Sequence, residues 1–190
     1  EDEKKEMLEI MFKTSKSVYQ LLENLLMWSK AQRGQINFEP AINPLTYVSD
    51  NVFSLYEQVA KDKNIELVDN ISNNCYAYYD YNMILTVLRN LVNNAIKFTE
   101  KGGKIEMNCE KTDNVVVVSV RDNGMGIPED KIDDIFNLEK HYTTKGTSDE
   151  KGTGLGLMLC QDFIREHNGK IWVESKLNEG TTFSFSLPKQ

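Results

Sequence analysis

The sequence predicts an α/β protein in which helices and strands are mixed within one domain, preceded by one long N-terminal helix. Three observations carry this. Apolar residues recur at three- and four-residue steps from residue 4 to about residue 33. Beyond them, amphipathic helical patterns alternate with short apolar runs that come in pairs. Two glycine-rich segments, Asp122-Asn-Gly-Met-Gly-Ile-Pro128 and Gly152-Thr-Gly-Leu-Gly-Leu157, punctuate the second half.

In the N-terminal helix, Met7, Met11, Val18, Leu21, Leu25 and Trp28 form a stripe interrupted once by Thr14, and Leu8, Leu22 and Leu26 widen it. That pattern suits a coiled coil or bundle better than a lone surface helix. Gly34 ends the helix, which sets the domain boundary: residues 1–34 form one unit and residues 35–190 the other. Gln35–Ile42 reads as extended. Asn43-Pro44 reads as an N-cap followed by proline at the first helical position, with the helix running to about Asp62.

Ile65–Ile71 alternates well enough for a strand, and Tyr76–Tyr79 is a short second one. Asp80 caps the next helix, Tyr81–Thr99. Lys104–Lys111 and Val115–Asp122 are two strands joined by Thr-Asp-Asn as a hairpin turn. Residues 129–135 form a brief helix. Phe136–Thr153 is polar, lacks periodicity and reads as a long functional or disordered loop. Gly154–Asn168 is a helix stopped by Asn168-Gly169. Lys170–Ser175 and Thr181–Leu187 make a final hairpin around Asn178-Glu-Gly180.

Composition excludes several classes. The net charge of −7 argues against a nucleic-acid partner, because phosphate backbones need clustered Lys and Arg. Cys75, Cys109 and Cys160 are too few and too scattered for a zinc site or a disulfide framework, so they are expected as thiols filling apolar space. No apolar run approaches the roughly 20 residues that span a bilayer, and no secretory signal opens the chain. A soluble, cytoplasmic protein is expected. Because the first residue is Glu1, a piece of a longer chain is expected too.

The chemistry-bearing pattern lies on the Tyr81–Thr99 helix. With Asn90 set at zero on a helical wheel, Asn94 falls about 40° to one side and Lys97 about 20° to the other. Ile84, Leu85, Leu88, Leu91, Val92, Ala95 and Ile96 occupy the opposite arc. Asparagine in a helix interior costs about half a kcal/mol relative to alanine, so Asn90, Asn93 and Asn94 on one helix need a reason. The glycine segments supply it: glycine lets the main chain approach a ligand closely, and helix-start N–H groups offer an anion site. Together they describe a nucleotide pocket.

These residues carry a family resemblance. Asn90-Leu-Val-Asn-Asn94-Ala-Ile-Lys-Phe-Thr99 resembles the N-box of sensor histidine kinases. Asp122-Asn-Gly-Met-Gly126 resembles their first glycine box, Gly152-Thr-Gly-Leu-Gly156-Leu the second and Gly180-Thr-Thr-Phe183 the last, all in the family's order across about residues 40–188. The resemblance implies a Bergerat-type fold, an α+β two-layer sandwich with a mixed sheet packed on helices and ATP held under a flexible lid. It implies that Asp122 accepts a hydrogen bond from the adenine amino group, and that Gly124 and Gly126 let the backbone pass the base and ribose. Asn94 is the implied Mg2+ ligand, with Asn90 beside it supporting the metal or its waters. Lys97 reaches the phosphates, Phe98 packs by the nucleotide, and Gly152, Gly154 and Gly156 hinge the lid. Ile127, Thr153, Leu155 and Thr182 are carried over as further nucleotide contacts. Lys145 is either a triphosphate contact or a solvated loop lysine. His141 and His167 receive no catalytic role.

Gyrase-like and mismatch-repair ATPases of the same superfamily carry Glu, a general base, where Asn90 stands. An amide has no useful basicity, which favours phosphoryl transfer to an intrinsically nucleophilic histidine over hydrolysis. The family's phospho-acceptor segment, Ser-His-Glu-Leu or similar, is absent, and residues 4–33 look like the second helix of the dimerising hairpin that bears it. The expectation is thus the ATP-binding catalytic domain of a histidine kinase, cut between the hairpin helices. Its implied partners are a phospho-acceptor helix of the same or a partner protomer, a response-regulator receiver domain and a second copy in an intact homodimer. The alternatives are a superfamily ATPase and a non-catalytic nucleotide-sensing module.

Overall fold

A computed structural model of the chain describes residues 36–137, 144, 146, 147 and 154–189, and residues 4, 7, 8, 11, 14, 15, 18, 19, 21, 22, 25–27, 29, 30, 33 and 34 before them. It divides into two compact units, Glu1–Asn37 and Phe38–Gln190. In the first, the described residues from Lys4 to Lys30 are helical. Met7, Leu8, Met11, Val18, Leu21, Leu22, Leu25 and Leu26 of the expected stripe are exposed. No described helix is long and apolar enough to cross a membrane.

The second unit runs β1 (Ala41–Pro44), α1 (Thr46–Asp62), β2 (Glu66–Asp69), β3 (Tyr76–Tyr79), α2 (Tyr81–Phe98), β4 (Lys104–Lys111) and β5 (Val115–Asp122). After a short 3-10 helix (Glu129–Asp134) come α3 (Gly156–Glu166), β6 (Ile171–Lys176) and β7 (Gly180–Pro188). Five strands form a mixed sheet in the order β2-β4-β5-β7-β6, in which β2 and β4 are parallel and the other neighbours antiparallel. Its inner face is visible in the alternation of β5, where Val116, Val118 and Val120 are buried. Ile105 and Met107 of β4 and Phe185 and Leu187 of β7 extend that face. Helices α2 and α3 pack on the sheet and on each other, and α1 packs on α2. This is the expected two-layer α/β arrangement.

Helix α2 buries most of the arc expected of it: Ile84, Leu88, Leu91, Val92, Ala95 and Ile96 are in the core, while Leu85 is half-buried. Asp80 caps it, accepting from the Met83 N–H at 3.0 Å, so the face bearing Asn90 and Asn94 is set by packing behind it and a cap before it. The same carboxylate takes the Glu39 N–H at 2.9 Å. The Asp80 N–H donates to His167 Nε2 at 2.9 Å, whose Nδ1–H donates to the Phe163 carbonyl at 2.6 Å. His167 is a buried tie between α2 and α3, and burial holds its pKa below the ordinary value.

Two expectations are corrected. Asn43 and Pro44 do not begin a helix; they end β1, paired with Ala77 and Tyr76 of β3. Helix α1 starts after Leu45, which makes no side-chain cap. Strand pairing outweighs the local Asn-Pro signal, and an edge strand tolerates proline's missing donor. Cys75 and Cys109 are not scattered in space: they lie side by side with Cα atoms 6.8 Å apart, where the segment before β3 meets β4. Cys160 is buried as an apolar thiol, as expected.

Candidate nucleotide site

Asp122 is the last residue of β5 and is 5% exposed. Its Oδ1 accepts the Gly124 N–H at 2.9 Å and the Thr181 N–H at 3.3 Å. Among the described residues nothing hydrogen-bonds Oδ2, which leaves an acceptor for an incoming N–H. Burial pushes its pKa up to about 6, with the two backbone donors opposing the rise. A carboxylate this desolvated gains more than an exposed one from a ligand donor.

The first glycine segment is docked on the end of α2. The Met125 N–H donates to the Phe98 carbonyl at 3.0 Å, and a Cβ on Gly124 would overlap that same carbonyl. Gly126 takes φ +68°, and its Cβ would overlap the Lys176 carbonyl. The close approach that these glycines permit is therefore to protein main chain. Its effect is to lock Asp122 beside the C-terminal end of the helix that carries Asn90, Asn94, Lys97 and Phe98. Ile127 is held through its N–H by Ser175 Oγ at 2.8 Å.

On α2, Asn90 and Asn94 stand one turn apart on one face. The Asn90 Nδ2 donates to the Thr86 carbonyl at 2.9 Å, which turns Oδ1 outward; a Cβ on Gly156 would lie 2.6 Å from it. Asn90 thus abuts the start of α3, where Leu155 is the N-cap and Gly154 takes φ +72°. Among the described residues nothing hydrogen-bonds the Asn94 amide, so its neutral oxygen is open to a hard cation. Lys97 is largely buried; its Nζ donates to the Thr144 carbonyl at 3.1 Å and lies 4.5 Å from the Phe98 ring centroid.

The structure sets Asp122, Gly124 and Gly126 beside the C-terminal end of α2, the helix that carries Asn90, Asn94, Lys97 and Phe98, and puts Gly156 at the start of α3 against Asn90. Lys145, His141, Gly152 and Thr153 lie outside the described residues. In the last glycine segment the Thr181 N–H reaches Asp122, and Thr182 is the next residue along β7, paired with Arg121 of β5. Ser175 was not singled out, yet its hydroxyl joins Ile127, Gly180 and Thr181. Its only sequence mark is a place beside the Asn178-Glu-Gly180 turn.

Residues 79–190 match the family model for histidine kinase-, DNA gyrase B-, and HSP90-like ATPases. Among curated relatives, the adaptive-response sensory kinase SasA of Rippkaea orientalis is 36% identical over 170 residues, covering 88% of this chain and 43% of that protein. The chain spans less than half the length of the curated relatives it matches. Among solved structures, the nucleotide-free catalytic domain of the histidine kinase ThkA superposes with a TM-score of 0.68 at 35% identity, covering 80% of this chain and 96% of that one. ThkA in complex with the response regulator TrrA gives a TM-score of 0.77 at 27% identity, over 98% of this chain and 51% of that one.

Proposed function

The chain belongs to the family of histidine kinase-, DNA gyrase B-, and HSP90-like ATPases, and we propose that it is the catalytic, ATP-binding part of a sensor histidine kinase. In that role it hands the γ-phosphoryl group of ATP to a histidine on a separate helix, for relay to a response-regulator aspartate. The observation that carries the reading is buried Asp122, with one oxygen unused among the described residues, held beside the C-terminal end of the helix that bears Asn90, Asn94 and Lys97.

Asp122 orients the base by accepting from its exocyclic amine. Lys97 places a positive charge for the phosphates, and the α3 start offers N–H groups and a helix dipole to the same anion. Asn94, with Asn90 beside it, fits Mg2+ by donor type; that ion would neutralise phosphate charge. Catalysis then consists of positioning and charge neutralisation.

In this reading residues 1–34 are the second helix of a dimerisation hairpin and residues 35–190 the catalytic domain. The exposed apolar stripe of the first unit supports a helical partner and a homodimer in the intact protein. The complex of the related ThkA with a response regulator supports a receiver domain as the second partner, and a cytoplasmic setting follows from both. The test uses γ-labelled ATP with the full-length protein. Protein-bound label that survives alkali but not acid supports the reading; steady hydrolysis of ATP by this chain alone would sink it in favour of an ATPase.

A further inference from the structure

The C-terminal end of α2 leaves carbonyls with no partner inside the helix. Besides Met125 on the Phe98 carbonyl, two residues distant in sequence cover the Ile96 and Lys97 carbonyls. Lys63, just beyond α1, donates from Nζ to the Ile96 carbonyl at 2.7 Å and to the Lys97 carbonyl at 3.3 Å, placing a cation where the helix dipole favours one. Thr147 comes from the other side. Its N–H donates to the Lys97 carbonyl at 3.0 Å. Its hydroxyl lies 3.2 Å from that oxygen and 3.1 Å from the Thr99 carbonyl, so its one proton is shared between them. Three residues earlier, the Thr144 carbonyl accepts from Lys97 Nζ. Lys97 is therefore held at both ends by one short segment: its main chain by Thr147 and its ammonium by Thr144.

We propose that Thr147 is a positioning residue for phosphate binding, fixing the last turn of α2 so that the Lys97 ammonium stands ready for a nucleotide phosphate. The inference rests on the reading of Lys97 as a phosphate contact. Helix ends fray, and Lys97 is the penultimate residue of α2. Without a cap its long side chain would have to be ordered by the ligand itself, which costs affinity. The Thr144 carbonyl is a suitable holding partner. It is neutral and belongs to an exposed residue, whereas a triphosphate offers a stronger charge-assisted bond. The main-chain anchor at Thr147 does not compete for the ammonium and remains while the exchange happens.

The test compares Thr147→Val, which removes the hydroxyl and keeps shape, with Thr147→Ser, which restores it. Calorimetry of the full chain measures Mg2+-bound AMP-PNP and, separately, adenosine. Thr147→Val should lower AMP-PNP affinity about three- to tenfold, the span of one hydrogen bond, and leave adenosine affinity within about twofold. Thr147→Ser should return AMP-PNP affinity to the parent value. Equal losses for the two ligands would mark a merely structural role, and unchanged AMP-PNP affinity would refute the anchor. A rise would show the segment to be a brake on Lys97, and each of these overturns the proposal. Lys97→Ala separates the premise from the inference. A loss confined to AMP-PNP keeps Lys97 as the phosphate contact, so failure of Thr147→Val then falls on the anchor alone. No loss removes the premise itself.

Discussion

Asp122→Asn should make the nucleotide-free protein more stable while destroying its nucleotide site. The carboxyl stands at about 6 rather than 3.8 because the folded chain desolvates it, and two units correspond to about 3 kcal/mol. Between about pH 4 and pH 6 the folded chain holds a proton that the unfolded chain has released. Stability therefore falls as pH rises through that window and levels off above it. Asparagine is nearly isosteric, keeps an oxygen for the Gly124 and Thr181 N–H groups, and is never charged. It gives up the charge-assisted strength of those two bonds, which offsets part of the gain. The expected net stabilisation near pH 8 is about 1–3 kcal/mol, shrinking toward zero near pH 4. Urea denaturation at the two pH values measures it. Adenosine binding should fall on the order of a hundredfold, since an amide N–H2 would meet the donor of the base. In the parent protein the same affinity should decline as pH drops below about 6. A variant no more stable than the parent near pH 8, or a gap that ignores pH, would refute the account of Asp122 as a desolvated carboxylate.

Other substitutions test other parts of the site. Asn94→Ala should weaken ATP binding with Mg2+ by about tenfold and barely change binding in EDTA; equal losses by calorimetry would remove the ligand role. Gly124→Ala forces a methyl onto the Phe98 carbonyl and should cost about 1–3 kcal/mol, so an unshifted thermal midpoint would contradict the packing. His167 must stay neutral to accept from Asp80, and its folded-state pKa is lowered. The unfolded chain thus takes up the proton first, and stability is lost as pH falls below about 6.5. His167→Gln should start about 2 kcal/mol lower and lack that acid slope; a slope retained in urea titrations across pH would point elsewhere.

What could be read in advance was what neighbours in sequence decide. Strands β4 and β5 were legible because alternating residues and a Thr-Asp-Asn turn act within a few positions, and Asp80 was legible as a cap because its target lies three residues on. The core arc of α2 followed from period alone. Pairings across the chain were not legible. Asn43-Pro44 has a sound local helix signal, yet Tyr76 and Ala77 recruit it into a strand. Cys75 and Cys109 meet across 34 positions that no spacing rule relates. Thr181 and Thr182 look alike in sequence, and only the register of β7 against β5 decides which one meets Asp122. The glycines pointed to a close approach to a ligand, and what the sequence did not reveal is that Gly124 and Gly126 also lie against the protein's own backbone.

Asn90 carries the choice between hydrolysis and transfer, and its surroundings bear on that choice independently of any relative. Its amide nitrogen donates to the Thr86 carbonyl while its oxygen lies against Gly156. A glutamate in this place could not make the first bond, and a charged oxygen near the Thr86 carbonyl would be repelled by it. The position is thus filled by a group that donates within its own helix and packs its oxygen against the α3 start. Such a group cannot take a proton from water at neutral pH. Without a base at this position, the proposed site favours a nucleophile that needs no activation from Asn90. Neutral imidazole meets that condition better than water, so Asn90 favours the proposed transfer to histidine over hydrolysis.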